Sequence, residues 1–215
     1  WRKHVDQELK RFFKEVLINN LSLTSIIELG INHEQQHQEL LLMDILDGFS
    51  RQPLKPKYIN SWKEINISLN NKVVTKNHNN EWIDFKGGLQ KIGFQEKQDS
   101  IKVGSFHFDN ESPSHLVWLE PFSLAKHLVT NEEYKEFIDD GGYQRQSLWM
   151  SEGWAIKEKR NWSKPRYWRR NSDGEDFLYE FTHTGMEKIN SVSPVRFISW
   201  FEASAYAKWA GARLP

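Results

Sequence analysis

The opening of the chain places its apolar residues at the three- and four-residue steps of amphipathic helices. This stripe predicts a first helix over residues 5–17. A second stripe follows Ser25, which together with Glu28 matches a capping box, and Gly48 is predicted to end that helix. The spacing therefore predicts a helical hairpin over residues 1–48.

The pattern changes to short alternating runs of apolar and polar residues after position 80. These runs predict strands over residues 81–85, 89–94 and 115–119. Two further capping boxes predict short helices that open at Thr130 and at Ser199, because each of these residues precedes a glutamate by three positions. Both helices are predicted to end at a glycine.

Two stretches of the chain show no usable period. Residues 49–80 contain prolines followed by a run rich in Asn and Lys, which predicts a linker. Residues 143–184 are predicted to be a long irregular loop held by buried aromatic rings. We therefore expect an α+β protein with a helical part at 1–48, a linker, and a domain of short strands, two helices and long loops at 81–215.

Composition narrows the possible partners and chemistry. The 29 basic and 29 acidic residues give a net charge of zero, which disfavours nucleic acid and anionic membranes as partners. Cysteine is absent, which excludes disulfides, thiolate nucleophiles and cysteine-bound metals. No apolar run approaches the ~20 residues of a membrane-spanning helix. We therefore expect a cytoplasmic protein in which any metal binds to His and carboxylate side chains.

The most concentrated polar cluster is the sequence HEQQH within the second predicted helix. His33 and His37 are four residues apart, so their imidazoles project from one face and can share one metal ion. Gln36 borders that face, and Asp44 lies further along the same stripe. The alternative is that the two histidines are ordinary surface or bundle-filling residues.

The same five residues satisfy the HExxH pattern of zinc peptidases, in which Glu34 would be the general base. The extended form of that motif requires Gly and His where this chain has Leu40 and Met43. A glutamate ligand further along is also difficult to place, because Glu64 follows two prolines. The surroundings of the motif therefore disfavour a peptidase.

Two other clusters have simpler interpretations. The acidic loop at residues 109–111 could hold calcium, although such loops are more often turns with Asx-type backbone bonds. The basic cluster at residues 164–170 is interleaved with aromatic residues, as in surfaces that bind single-stranded nucleic acid. Three acidic residues at 173–176 follow it and cancel its charge.

An ordered series of motifs resembles the iron-dependent sulfoxide synthases of ergothioneine biosynthesis, the hercynine oxygenases. In that family a DinB-like four-helix bundle precedes a formylglycine-generating-enzyme-like domain, which has a C-type-lectin-like fold. The motifs are HEQQHQELLLMDIL at 33–46, PLKPKY at 53–58, GGLQKIG at 87–93, FDNESPSHLVWLEPFSLAKHLVTNEEYKEFIDDGGY at 108–143, LWMSEGW at 148–154 and PVRFISWFEASAYAKWAGARLP at 194–215.

The resemblance implies a non-haem Fe(II) held by three histidines, with His33 and His37 as the second and third. It implies that Gln36 helps to hold the imidazole of hercynine, and that O₂ is used to join that ring to the sulfur of γ-glutamylcysteine or cysteine. The first histidine, the thiol-binding arginines and the catalytic tyrosine would lie outside this sequence, so no catalytic residue is assigned. The chain is expected to be a monomeric fragment that is inactive by itself.

Two alternatives stay open under this resemblance. A sister group makes the histidine–cysteine sulfoxide of the ovothiol pathway with the same pair of domains, although the glutamine-rich motif HEQQHQE favours the ergothioneine branch. A degenerate copy could instead serve as a non-catalytic binding module. The cysteine mechanism of the formylglycine-generating enzymes is excluded because this chain has no cysteine.

Overall fold

A computed structural model describes five stretches of the chain: residues 1–15, 21–61, 81–95, 106–170 and 177–215. Their Cα positions group into two compact units. The first unit is Trp1–Asp44 with Gly87–Glu120, and the second is Ile45–Lys86 with Pro121–Pro215. Much of the predicted linker, residues 62–80, lies outside the described residues.

The two helices predicted at the start of the chain are present as α1, Arg2–Glu15, and α2, Leu21–Arg51. Two predictions about their ends are wrong. The second helix begins before Ser25, so the pair Ser25 and Glu28 lies within the helix and does not cap it. It also continues through Gly48 for one more turn.

Contacts on both sides of Gly48 explain why α2 continues past it. Asp47 forms an ion pair with Arg51 across that turn, with a nitrogen–oxygen distance of 2.9 Å. Leu46 is buried with Tyr167 and Phe181 in a small core of the second unit. Packing of this last turn therefore outweighs the weak helix propensity of one glycine.

Two antiparallel strand pairs follow the helices. Strand β1, Trp82–Phe85, pairs with β4, Phe122–Ala125, and β2, Gly88–Ile92, pairs with β3, His115–Leu119. The three predicted strands are confirmed, whereas β4 was not predicted. Its four residues are too few to show alternation, and β1, with which it pairs, lies far away in the sequence.

The second of the two residues that join β1 to β2 is a glycine for a structural reason. Gly87 has φ +69°, which L side chains rarely adopt. A Cβ atom there would lie 2.3 Å from the carbonyl oxygen of Leu119. Both the backbone conformation and the close approach of the neighbouring strand therefore exclude a side chain.

The two short helices predicted from capping boxes are confirmed as α3, Asn131–Asp139, and as a later helix, Trp200–Trp209. Thr130 Oγ1 accepts a hydrogen bond from the N–H of Glu133 at 3.3 Å. At the later helix, the N–H of Ser199 donates to the Glu202 carboxylate at 2.6 Å. Both boxes therefore satisfy backbone groups that would otherwise lack partners.

The predicted long loop at residues 143–184 is only partly correct. It contains the helix α4, Ser151–Arg160, so the described part of residues 81–215 has three α-helices rather than the two predicted, and Trp200–Trp209 becomes α5. An antiparallel sheet follows, formed by β5, Trp168–Arg170, β6, Phe177–Thr182, and β7, Gly185–Lys188. The prediction of buried rings in this stretch is confirmed, since Trp149, Tyr167 and Trp168 are all buried.

Short 3₁₀ helices complete the described secondary structure at Asp109–Glu111 and Gln146–Leu148. The main core of the second unit is aromatic, with Tyr134, Phe137 and Tyr143 fully buried against α5. The Tyr143 hydroxyl donates to the buried carboxylate of Glu202 at 2.6 Å. Burial raises the pKa of both Tyr134 and Tyr143, so these phenols stay protonated and serve as hydrogen-bond donors.

Candidate functional site

Helix α2 places His33 and His37 together on one face. Their ring centroids are 4.5 Å apart and the ring planes meet at 66°, so one ring presents its edge to the other. Both side chains are exposed. The four-residue spacing of the sequence is therefore realised as two adjacent imidazoles that a ligand can reach.

Gln36 borders this pair of rings. At ~100° per residue it lies about 60° around the helix axis from His33. Its side chain is exposed, as are those of Leu29 and Leu40, which lie on the same side of the helix. The face therefore combines two imidazoles and one amide with an apolar border.

The donor set fits part of an iron site. Neutral imidazoles are suitable ligands for Fe(II), and two of them at this spacing can bind one ion. Among the residues that the structure describes, no group of three His, Asp or Glu side chains is placed to hold a metal. His33 and His37 are thus two candidate ligands, and Asp44 does not form a group of three with them.

Glu34 lies in different surroundings from the two histidines that flank it. It lines a groove of about 540 Å³ between α1 and α2, together with Gln35, Gln38 and apolar residues of both helices. The hypothesis of a peptidase requires this carboxylate to act on a metal-bound water. Its place in the groove between the helices does not favour that role.

The acidic loop forms a turn whose carboxylates bond to its own backbone. The Asp109 carboxylate accepts from the N–H of Asn110 at 2.9 Å, and the Glu111 carboxylate accepts from the N–H of Phe108 at 2.8 Å. The turn that the sequence favoured over a calcium site is therefore present, although its bonds are a capping-box bond from Glu111 and a bond between adjacent residues rather than Asx-turn bonds.

The basic cluster is also used within the fold. Arg166 donates to the Asp47 carboxylate at 2.5 Å, and the hydroxyl of Tyr167 approaches the same oxygen at 3.4 Å. Arg169 donates to the carbonyl oxygens of Arg166 and Trp168. The acidic residues 173–176 lie outside the described residues. The cluster therefore supports the end of α2 and the start of β5.

The sequence alone did not indicate two buried or half-buried carboxylates. Asp47 is bound by Arg51 and by Arg166, and Glu202 is bound by Tyr143. The capping box at Ser199 marks Glu202 as a helix-start residue, but its bond from Tyr143, and the bond from Arg166 to Asp47, come from far away in the sequence, so no local motif indicates them. None of these groups lies within the motif at residues 33–37.

No helix in the described stretches has the length and apolar character needed to cross a bilayer. The longest of them, α2, carries five acidic side chains.

Comparison with known families identifies the class of this protein. A profile of the sulfatase-modifying factor enzyme 1-like domain matches residues 70–215, and the chain belongs to this family. The match includes strands β1–β7 and helices α3–α5, whereas His33 and His37 lie before it.

More specific similarity is found to hercynine oxygenases within that domain. The chain is 44% identical to the hercynine oxygenase of Mycolicibacterium smegmatis over 107 residues, which are 50% of this chain and 24% of that protein. It is 42% identical over 107 residues to the enzyme of Mycobacterium tuberculosis, with the same two shares. It is 42% identical over 110 residues to that of Mycolicibacterium thermoresistibile, which are 51% of this chain and 23% of that protein. The chain therefore spans about a quarter of the length of these relatives.

Proposed function

We propose that this chain is part of a non-haem Fe(II), O₂-dependent sulfoxide synthase of ergothioneine biosynthesis. The reaction joins the imidazole of hercynine to the sulfur of γ-glutamylcysteine or cysteine. The observation that carries the proposal is the adjacent pair His33 and His37, on a chain that is 42–44% identical to hercynine oxygenases over 107 residues. Neither the histidine pair alone nor the sequence identity alone would support this function.

The ligand set follows from the exposed face of α2. His33 and His37 would hold Fe(II) through their imidazole nitrogens, and a third histidine would come from outside the described residues. We place these helices in a DinB-like bundle, as the resemblance implies. When bound, the iron supplies the site at which O₂ and the thiol sulfur are brought together, because three protein ligands leave coordination positions open.

Gln36 would position the organic substrate. Its amide can both donate and accept a hydrogen bond, so it suits either nitrogen of an imidazole ring. Because it lies beside His33, a ring that it holds would be close to the metal face. Leu29 and Leu40 would exclude water from the border of that face once the site is closed.

The domain that carries the family match would serve as a scaffold that contributes loops to the substrate site. It has no cysteine, so it cannot perform the cysteine chemistry of formylglycine-generating enzymes. We propose that the protein is monomeric and cytoplasmic.

The test is product analysis with the whole protein that contains these 215 residues. The protein is loaded anaerobically with Fe(II), mixed with hercynine and each thiol in turn, and exposed to O₂. We expect a new product with the mass of the hercynine–thiol sulfoxide, which depends on iron and on oxygen. Consumption of histidine in place of hercynine would indicate the ovothiol-type reaction instead. No coupling product from any pair of substrates would contradict the proposal.

A further inference from the structure

One tyrosine hydroxyl in the aromatic core of the second unit is paired with a carboxylate. Tyr143 is completely buried, and Glu202 is 5% exposed. The Tyr143 hydroxyl donates to Glu202 Oε1 at 2.6 Å, and the N–H of Ser199 donates to Oε2 at 2.6 Å. Within the part of the chain that the structure describes, no Lys, Arg or His forms an ion pair with Glu202. Its negative charge is therefore enclosed next to this phenol.

Two tryptophans connect this pair to the surface. Trp149 packs on Tyr143 with the ring centroids 5.3 Å apart, and Trp154 packs on Trp149 at 6.4 Å. Trp149 is buried, whereas Trp154 is partly exposed on α4. Tryptophan and tyrosine rings can each lose a single electron, and electrons pass readily between rings in contact. The three rings therefore form a path for one electron between the buried tyrosine and the surface.

We propose that Tyr143 is a redox-active tyrosine, which gives one electron through Trp149 and Trp154 to an oxidant at the surface and its proton to Glu202. The oxidant belongs to the class of high-potential metal complexes and oxygen-derived radicals, and it is reduced by one electron. The O–H bond of Tyr143 breaks and an O–H bond to Glu202 Oε1 forms. The products in the core are a neutral phenoxyl radical and a carboxylic acid. This inference goes beyond the proposed function and does not depend on it.

Burial favours this coupled step over the loss of an electron or a proton alone. Loss of the electron alone would leave a phenol cation radical, and loss of the proton alone would leave a phenolate. Either charge would be costly in the core. The cost of the phenolate is seen in the pKa of Tyr143, which burial raises. The coupled step instead converts one buried negative charge into a neutral pair, along a hydrogen bond that already exists.

Hydrogen-bond partners direct the electron loss to Tyr143 rather than to Trp149. The indole N–H of Trp149 donates to the carbonyl oxygen of Gly142 at 2.9 Å. An amide carbonyl is a much weaker base than a carboxylate, so oxidised Trp149 would keep its proton and its charge. The Tyr134 hydroxyl lies 3.1 Å from that of Tyr143, whose own proton is directed to Glu202. Tyr134 therefore donates to the oxygen on which the radical forms.

A second ring of the same core also contacts a carboxylate, but this carboxylate is a poorer proton acceptor. Trp209 donates its indole N–H to Asp140 Oδ2 at 2.7 Å. Asp140 is exposed and forms an ion pair with Arg145. The hydrogen bond from Trp209 and the charge of Arg145 hold the pKa of Asp140 below its ordinary value. We therefore expect the radical at Tyr143 and not at Trp209.

A ruthenium photo-oxidant attached at one point of the 215-residue chain tests the path. The chain has no cysteine, so Ala155→Cys gives a single labelling site at an exposed position of α4, next to Trp154. A flash in the presence of a soluble electron acceptor produces ruthenium(III), which takes one electron from the protein. We expect the absorption band and the electron paramagnetic resonance spectrum of a neutral tyrosyl radical. Its formation should be slower in D₂O, because a proton moves with the electron.

Substitutions in the labelled protein locate the radical and the proton acceptor. Tyr143→Phe should lose the tyrosyl signal and leave an indole radical. Glu202→Gln should lose it as well, because an amide can still bond to the phenol but cannot take its proton. The matched control is Tyr206→Phe, which should keep the signal. Tyr206 stacks on Tyr134 in the same core, and its hydroxyl makes no hydrogen bond to the residues that the structure describes.

Three results would overturn the proposal. An indole radical without a tyrosyl radical, in the labelled protein with its core unchanged, would show that Tyr143 does not supply the electron. Equal rates of radical formation in H₂O and D₂O would show that the proton does not move with it. A tyrosyl signal that persists in folded Tyr143→Phe would place the radical on another tyrosine. The first two measurements need no substitution in the core, so they decide the matter even if Tyr143→Phe or Glu202→Gln fails to fold.

Discussion

The imidazoles at positions 33 and 37 are the residues on which metal binding should depend. In the whole protein, either His33→Ala or His37→Ala should reduce the Fe(II) retained after gel filtration at least ~10-fold, since each variant removes a direct ligand. Iron is measured by mass spectrometry of the eluted protein. His4→Ala is the control and should retain iron as the wild type does. Unchanged iron content in the double variant would remove this pair from the metal site.

Glu34 separates the proposed synthase from a peptidase. Its side chain lines the groove between α1 and α2. In the synthase it has no role at the metal, so Glu34→Gln should change the rate of sulfoxide formation by less than about twofold, well below the ~100-fold or greater loss of a general base. Peptide hydrolysis by the wild type that disappears in Glu34→Gln would show that the motif works as a peptidase. The metal content should be equal in both proteins.

Gln36 is the side chain proposed to hold the substrate ring. Misplacing a reacting group by about 1 Å can reduce a rate on the order of a hundredfold. Gln36→Leu keeps the size of the side chain but removes both hydrogen-bonding atoms. We expect a higher KM for hercynine and a lower kcat, with iron content and the KM for the thiol unchanged. Unaltered hercynine kinetics in an iron-loaded variant would show that other groups hold the ring.

At the level of single elements, Gly48 tests the continuity of α2. It lies inside the helix, and a Cβ atom there would meet no atom within 4 Å. Gly48→Ala should therefore raise the free energy of unfolding by about 0.5–1 kcal/mol, because alanine loses less backbone entropy in a helix. Urea denaturation followed by tryptophan fluorescence measures the change.

The controls for Gly48 lie in the same chain. Gly30 is also within α2 and has open space around it, so Gly30→Ala should stabilise by a similar amount. At Gly142 a Cβ would lie 2.1 Å from the buried ring of Phe137, so Gly142→Ala should destabilise. Destabilisation by Gly48→Ala would mean that the helix ends there, as the sequence pattern predicted.

Helices α3 and α5 could be predicted because their start signals are local. The side chains of Thr130 and Ser199 each accept a hydrogen bond from the N–H of the glutamate three residues ahead. Because both helices are short, few other positions near either motif can be the first residue of the helix. The same pattern at Ser25 was misleading, because α2 already begins at Leu21. Helix α4 has no such signal: its N-cap is Met150, which makes no side-chain capping bond.

Non-local contacts mark the limit of prediction from the sequence. The adjacency of His33 and His37 follows from helical periodicity, so the sequence could predict it. Asp47 and Arg166 are 119 positions apart, and no pattern within either segment indicates their ion pair. Strand β4 depends in the same way on its pairing with β1.

Across the residues that the structure describes, most of the large buried apolar side chains are aromatic, and Leu46 is the aliphatic exception. The chain has 10 Trp, 13 Phe and 6 Tyr residues. In the second unit, Tyr143 packs on Phe137 and Trp149, and its hydroxyl still reaches Glu202. Tyr206 lies on the same core, and partial burial raises its pKa to about 12. A tyrosine ring is apolar and can be buried while its hydroxyl forms a hydrogen bond. A chain with a mean hydropathy of −0.71 can therefore still bury a core.

The stability of the second unit should depend on pH through Asp47. Burial by itself would raise the pKa of this carboxyl, but the hydrogen bond from Arg51 and the charge of Arg166 outweigh it and hold the pKa below its ordinary value of 3.8. A carboxyl with a lowered pKa in the folded state stabilises the protein above pH 3.8, and this contribution is lost as the pH falls through the lower, folded pKa. Asp47→Asn should therefore lower the free energy of unfolding by about 1 kcal/mol at pH 7. The difference from wild type should shrink progressively below pH 3.8.

The control is Asp139→Asn, which removes an exposed ion pair with Lys135 on α3 and should change stability little at either pH. Urea denaturation of both variants over a pH series measures the free energy of unfolding. If Asp47→Asn differs from wild type as much at pH 2.5 as at pH 7, the ionised carboxylate is not what stabilises this contact, because linkage requires the difference to fall with pH.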